Sequence, residues 1–206
     1  MAQLSGGQKK RAKESGVTLL YTPFAREAFV FIVNADNPVN SLTEQQVRDI
    51  FSGAITNWRA VGGDDQEIQT WQRPEDSGSQ TVMLSQVMKN VRMISPQETE
   101  VASVMEGMIK VVAEYRNTNN AIGYTFRYYA TQMNADKNIK LLAINGITPT
   151  AENIRNGKYA YIVDAFMVTR ENTTSETQKL VEWFLTPQGQ SPVEDVGYVP
   201  LYKTLH

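Results

Sequence analysis

Residues 28–33 read AFVFIV, a continuous apolar run that ends at the turn-forming stretch NADNP of residues 34–38. An apolar run without alternation is typical of a strand that is buried on both faces of a sheet. A second run of this kind, AIGYTF, occupies residues 121–126. The two runs therefore predict two buried strands.

Helical and strand-like patterns alternate along the rest of the sequence. Further strands are predicted at residues 68–72, 139–144 and 161–169, and helices at residues 9–15, 43–53, 80–89, 104–115 and 175–185. The capping-box pair Thr43 and Gln46 marks the start of the second helix. In the last helix Leu180, Val181, Phe184 and Leu185 are expected to form the buried face. This alternation favours an α/β fold with a mostly parallel sheet.

The composition excludes several classes of function. The net charge of −2 argues against nucleic acid as a partner, because duplex-binding proteins usually carry a basic surface. The chain has no cysteine and one histidine, His206, so disulfides, thiol catalysis, histidine triads and most zinc sites are excluded. No apolar stretch is long enough for a transmembrane helix, and residues 1–16 lack the apolar core of a signal peptide. No metal and no cofactor is expected.

Residues 4–8 read LSGGQ, the signature of the ATPase subunits of ABC transporters. That motif acts on an ATP held by a GxxxxGK[ST] loop, and the sequence contains no such loop. We interpret the match as part of a helix start.

The stretch QRPEDSGSQ at residues 72–80 carries the most chemical information. A strand end, a turn with one glycine and two serines, and a helix start can form an anion site from backbone N–H groups and the helix dipole. Ser77 can cap the helix with Gln80 as its capping-box partner, Gly78 lets the backbone approach a ligand, and Arg73 suits an oxyanion. An ordinary capped helix beside a surface arginine explains the same residues, and both interpretations stay open on these grounds.

The order and spacing of several motifs resemble those of the phosphate-binding receptors of phosphate ABC transporters. The motifs are IFSGAITNW at 50–58 with VGG at 61–63, the 73–79 loop, AIGY at 121–124, PTAENI at 149–154, and PQGQ at 187–190 with GYVPL at 197–201. The resemblance covers about residues 17–202. It implies a type II periplasmic-binding-protein-like clamshell, an α/β fold with two lobes that close on phosphate. Residues 1–27 would be a remnant of lobe 1, residues 28–125 the crossover strands and lobe 2, and residues 126–206 the return segment of lobe 1.

The resemblance also implies a binding site and no catalytic residues. Arg73 matches the arginine that pairs with phosphate, Glu75 a carboxylate that accepts a hydrogen bond from the proton of the ligand, Ser77 a hydroxyl donor, Gly78 a backbone donor, and Ser79 a position usually held by threonine. Asp76 stands where glycine is common. A buried, ionised Glu75 would favour monohydrogen phosphate over fully ionised sulfate, because a carboxylate only accepts hydrogen bonds. The alternative is that Glu75 is a solvated carboxylate of the loop. Arg127 could also reach the cleft and Arg26 the hinge region; a surface position and an ion pair with Glu27 are the alternatives.

The family begins with a first-lobe segment, including further phosphate ligands, that has no counterpart before Met1. We therefore expect a fragment, a designed chain or a reduced relative in which the N-terminal half of the first lobe is missing. Apolar surface around residues 161–169 should then be exposed, giving a homodimer or a poorly soluble chain. The implied partners are inorganic phosphate and an ABC transporter permease, with no nucleic acid. The implied location is extracytoplasmic, with membrane association only through a lipid anchor on a longer precursor.

Binding of phosphate for delivery to a permease is thus the leading functional hypothesis. The alternatives are a sensor or signalling domain of the same fold, or a structural or adhesion protein that has lost the ligand. An enzyme is disfavoured because the sequence shows no pairing of a nucleophile with a base.

Overall fold

One strand, β1 (Leu19–Asn34), runs through the centre of the fold. The computed structural model describes residues 6–96, 101–114, 119–133 and 135–202. The other strands are β2 (Ser41–Leu42), β3 (Gln69–Thr70), β4 (Ala121–Phe126), β5 (Ile139–Leu141), β6 (Ala143–Ile144), β7 (Ile162–Arg170) and β8 (Val199–Pro200). The α-helices are α1 (Gly6–Glu14), α2 (Glu44–Ser52), α3 (Gly78–Val82), α4 (Met105–Glu114), α5 (Ala151–Arg155), α6 (Ser175–Phe184) and α7 (Pro187–Asp195). The described residues also include a 3₁₀ turn (Trp58–Val61) and two π-helical segments (Met83–Met88 and Tyr129–Met133).

The two halves of β1 pair with different strands. The first half lies antiparallel to β7, from Leu19 opposite Arg170 to Ala28 opposite Ile162, and Ala25 and Arg26 pair with β8. The second half lies antiparallel to β4, from Phe29 opposite Phe126 to Val33 opposite Ile122, and its end pairs with β5. The AFVFIV and AIGY runs, each predicted as a buried strand, therefore pair with each other.

The expected mostly parallel sheet is wrong. All four ladders on β1 are antiparallel, and the parallel pairings in the described ranges are β3 with β4 and β2 with β6. The alternation of helices and strands predicts that crossover connections exist. The alternation does not show that β1 extends over 16 residues. It also does not show that several later strands of the chain pair with β1.

The main core surrounds the second half of β1. Each residue of the run 28–33 is completely buried, as expected for a strand covered on both faces. Phe29, Phe31, Phe51 and Tyr124 form a cluster of aromatic rings with centroids 5.4–6.5 Å apart. Tertiary packing of this kind supplies most of the stability of short strands. Helix α4 covers β4 closely, since a Cβ at Gly123 would lie 2.4 Å from the Met108 sulfur.

Local capping signals place α2 as predicted. Thr43 Oγ1 accepts the Gln46 N–H, and the Gln46 side chain accepts the Thr43 N–H, so the capping box is complete. Gly53 ends the helix with a φ of +81°, a left-handed conformation that favours glycine. Val47, Ile50 and Phe51 form the buried face of the helix.

The buried face expected for α6 is not buried. The helix has its predicted extent, but Leu180 is 55% exposed and Trp183 41% exposed, while Val181, Phe184 and Leu185 are half-buried. The apolar spacing of a helix shows which side could be covered, and in the described chain α7 and the β1–β7 pair cover only part of that side.

The apolar surface expected around residues 161–169 is present over the second half of β7. Residues 166–169 are half-buried, and Leu20 and Tyr21 on the paired segment of β1 are 45% and 37% exposed. Tyr161 and Val163 are buried, so the exposure does not extend over the whole predicted stretch. None of the described helices is both long and apolar enough to cross a membrane.

Glu27 is a buried carboxyl group at the point where β1 changes partners. Its Oε1 accepts the Ala28 N–H at 2.7 Å and its Oε2 accepts the Tyr128 N–H at 3.1 Å. Burial raises the pKa of this carboxyl from 4.5 to about 7, against the opposing effects of the two hydrogen bonds and of Arg127. Glu27 therefore binds its proton more tightly in the folded than in the unfolded protein.

We expect the stability contributed by Glu27 to be complete below pH 4.5 and to be lost as the pH rises through about 7. Glu27→Gln cannot ionise, so wild type should lose stability relative to this variant as the pH rises from 5 to 8. The free energy of unfolding of Glu27→Gln, minus that of wild type, should increase over this range by at most about 3 kcal/mol. Urea unfolding at both pH values measures this difference, with the exposed Glu67→Gln as control. A difference between Glu27→Gln and wild type that is equal at both pH values would contradict the account.

Candidate functional site

The loop of residues 73–79 connects β3 to α3. The chain enters it beside β4, where the Trp71 N–H donates to the Ile122 carbonyl at 2.9 Å. It leaves through Ser77, the N-cap of α3, whose Oγ accepts the Gln80 N–H at 3.1 Å. The helix continues as the π-helical segment Met83–Met88, so the predicted helix at 80–89 is present with a changed hydrogen-bond pattern after Val82. The loop therefore has the predicted order of strand, turn and helix start.

Arg73 is a buried cation at the base of this loop. The residue is 8% exposed, and its Nη1 donates to the Ala102 carbonyl at 2.6 Å. Its Nε–H is buried without a hydrogen-bond partner, and within the described ranges no carboxylate forms an ion pair with it. Burial lowers the pKa of the Arg73 guanidinium, although an arginine stays charged at neutral pH. The negative charge of Asp76 raises the pKa of the guanidinium, but it does not offset the effect of burial. The loop thus holds a buried positive charge with which no carboxylate of the described residues forms an ion pair.

The hydroxyl group of Tyr124, a residue of β4, forms hydrogen bonds at both ends of the loop. Its phenol oxygen accepts the Arg73 backbone N–H at 3.0 Å and donates to Gln80 Oε1. Burial raises the pKa of this phenol, so it stays protonated and can donate. The predicted capping box at Ser77 is therefore only half formed, because the Gln80 side chain bonds Tyr124 and the Ser77 N–H donates to the Pro74 carbonyl instead.

The serines and the glycine lie together at the helix start. Ser77 Oγ and Ser79 Oγ are 3.4 Å apart; Ser77 is half-buried and Ser79 completely buried. Gly78 is exposed, and no heavy atom outside its neighbours would come within 4 Å of an added Cβ. The N–H groups of Gly78 and Ser79 belong to the first turn of the helix, where no carbonyl of the helix can accept them. They are available to an anion.

The expectation of a buried carboxylate at Glu75 is wrong for this structure. Glu75 and Asp76 occupy the tip of the turn and are exposed to solvent. The turn closes through the bond from Ser77 N–H to the Pro74 carbonyl, which leaves the two acidic residues on its outside. At that position solvent screens the charge of Asp76, so it weakens an adjacent anion site little.

A cleft of about 360 Å³ separates the helix start from β7. The wall formed by the helix includes Gly78, Thr81 and Ser85. The opposite wall is formed by Ile162, Val163, Asp164 and Phe166 of β7. Asp164 is half-buried and adds a hydrogen-bond acceptor to the cleft. Of the predicted site residues, Gly78 lines the cleft, whereas Arg73 and Ser79 are buried and do not line it.

Arg26 and Arg127, the two other arginines considered from the sequence, donate hydrogen bonds to backbone carbonyls. Arg26 Nη1 donates to the Arg155 carbonyl at 2.5 Å, and Arg127 Nη1 to the Gly197 carbonyl at 3.3 Å. In the described part of the chain neither lines the cleft. The described residues also contain no group of three or more histidine, cysteine, aspartate or glutamate side chains that could hold a metal ion.

The sequence did not identify Tyr124, Gln80 or Asp164 as site residues. Tyr124 was visible as part of the AIGY motif, but its partner Gln80 is 44 residues away in the sequence. Asp164 interrupts the apolar pattern of β7, which was the available signal for a polar residue on that face.

The chain is similar to known proteins over most of its length. A family model described as "PBP superfamily domain" matches residues 3–188. The phosphate-binding protein PstS of Bacillus subtilis is 28% identical over 170 residues, which are 82% of this chain and 53% of that protein. The corresponding protein of Borreliella burgdorferi is 26% identical over 183 residues, 86% of this chain and 64% of that protein. The chain therefore spans about half to two thirds of the length of these relatives.

Solved structures give the same result at the level of the fold. A Clostridium perfringens protein assigned as a phosphate ABC transporter substrate-binding protein, with bound phosphate, has a TM-score of 0.77 and 25% identity. That match covers 98% of this chain and 77% of the other. PstS from Borrelia burgdorferi has a TM-score of 0.70 and 25% identity, again over 98% of this chain and 77% of the other. With a family model matched over most of its length, the chain belongs to the PBP superfamily.

Proposed function

We propose that the protein binds inorganic phosphate between the 73–79 loop and β7, outside the cytoplasm, for delivery to an ABC transporter permease. Similarity to proteins named as phosphate-binding and to a phosphate-bound structure supports the choice of ligand. These relatives are named as binding proteins, which supports binding without catalysis as the role of this chain. A lipid anchor and a homodimer stay predictions; light scattering tests the dimer, which would cover the apolar side chains beside Leu20 and Tyr21.

The buried charge of Arg73 is the observation that carries this proposal. Removing a guanidinium from water costs several kcal/mol unless an opposite charge or hydrogen bonds replace the solvent. Arg73 has one strong bond, to Ala102, and a buried Nε–H without an acceptor. A bound oxyanion would supply both the negative charge and the missing acceptor, with short charge-assisted hydrogen bonds.

The helix start supplies the remaining donors. The N–H groups of Gly78 and Ser79 and the hydroxyl groups of Ser77 and Ser79 lie within one turn. The positive end of the helix dipole is at the same place, because α3 begins at Gly78. The space around Gly78 is open, and we infer that these donors and Arg73 act together on a tetrahedral anion.

We expect Arg73→Ala to weaken the binding of phosphate and of sulfate alike, by at least roughly tenfold, since one or two charge-assisted bonds are lost. Isothermal titration calorimetry with each anion measures the loss. Arg59→Ala is the matched control, because Arg59 is a surface arginine paired with Asp65. Arg73→Lys keeps the charge without the planar fork and should bind with intermediate affinity. Equal phosphate affinity in Arg73→Ala and Arg59→Ala would remove the loop from the site.

The ratio of phosphate to sulfate affinity tests which of two carboxylates, Asp164 or Glu75, faces the ligand. Asp164 lines the cleft and is half-buried, so it should favour a ligand that still carries a proton. Glu75 is exposed, and solvent screens it. We expect Asp164→Asn to lower the ratio of phosphate to sulfate affinity roughly tenfold and Glu75→Gln to change it less than about twofold. Competition titrations of phosphate against sulfate measure the ratio in both variants. A larger change in Glu75→Gln than in Asp164→Asn would show that Glu75 moves into the site when the ligand binds.

A further inference from the structure

The buried phenol of Tyr124 connects the two ends of the 73–79 loop. It accepts the backbone N–H of Arg73, the first residue of the loop, at 3.0 Å. It donates to the side chain of Gln80, which lies in the first turn of α3. One oxygen atom thereby fixes the distance between the arginine and the helix start.

The position of this oxygen is itself rigid. The Tyr124 ring is completely buried, with its centroid 5.4 Å from that of Phe29 and 5.6 Å from that of Phe51. Its backbone lies opposite Phe31 in the ladder between β4 and β1. The loop is therefore held from the same strand pair that forms the centre of the core.

We infer that Tyr124 is a positioning residue for the anion site, which aligns the Arg73 guanidinium with the N–H groups at the start of α3. This inference rests on the proposed function for its ligand, but the alignment itself is a property of the ligand-free protein. Without the hydroxyl, the Arg73 N–H and Gln80 Oε1 both lose a buried partner, and the two ends of the loop can move independently.

The chain offers a matched control in Tyr161. Its ring is also buried, at 2% exposure, and lies 5.9 Å from that of Phe31. Unlike Tyr124, it has a buried hydroxyl without a hydrogen-bond partner. Tyr161→Phe thus removes the same atom from the same core without touching the loop.

The first measurement is amide hydrogen exchange of the ligand-free protein by NMR. We expect the Arg73 amide to exchange at least roughly tenfold faster in Tyr124→Phe than in wild type, and at the wild-type rate in Tyr161→Phe. An unchanged Arg73 exchange rate in Tyr124→Phe would overturn the inference. This readout needs no ligand, so it stands even if inorganic phosphate fails to bind the wild type, a result that would instead refute the proposed function.

The second measurement is calorimetric titration with inorganic phosphate. Tyr124→Phe should bind about tenfold more weakly, and Tyr161→Phe within about twofold of wild type. Gln80→Met, which removes the acceptor on the helix side, should also bind more weakly, and the double variant should bind no more weakly than Tyr124→Phe alone. Independent, additive losses, or equal losses in the two tyrosine variants, would show general destabilisation and overturn the positioning role. If Tyr124→Phe does not fold, Gln80→Met with Tyr161→Phe as control decides the same question.

Discussion

The ladders on β1 determine where both walls of the cleft lie. The first half of the strand holds β7, which carries Asp164, and the second half holds β4, which carries Tyr124. Since β3 pairs with β4, the segment that leads into the 73–79 loop is positioned by the same ladder. The strand is continuous and its residues 28–33 are completely buried, so a displacement of either ladder would change the width of the cleft.

The chemistry of the candidate site follows from a conflict between packing and charge. The loop places the Arg73 guanidinium against the Ala102 carbonyl, and no carboxylate of the described residues forms an ion pair with it. A buried charge in that state is costly. The exposed Asp76 stabilises the charged guanidinium from outside the turn, but it forms no ion pair with Arg73 and offsets only part of the cost of burial. A site that remains incomplete in the ligand-free protein can bind an anion with a large electrostatic gain, because its donors are already oriented.

The sequence predicted the features that depend on neighbouring residues. The buried strand at 28–33, the strand at 121–126 and the capping box at Thr43 were confirmed, because burial on both faces and capping have local signatures. The antiparallel pairing was not predicted, since the direction of a partner strand depends on connections far apart in the sequence. The hydrogen bond between Tyr124 and Gln80 was not predicted, for the same reason. Because the Gln80 side chain accepts this bond, it does not complete the capping box with Ser77 that the spacing had suggested. The exposure of Leu180 shows that helical periodicity does not reveal what covers a helix.

An NMR titration with inorganic phosphate tests the central claim, that Arg73 and the start of α3 form one oxyanion site. On isotopically labelled protein, the largest shifts should occur at the Arg73 Nε–H and at the backbone amides of Gly78 and Ser79, and the Arg73 Nε–H should become protected from exchange. Sulfate should produce the same pattern more weakly. Shifts confined to other regions, or none at millimolar phosphate, would contradict the account.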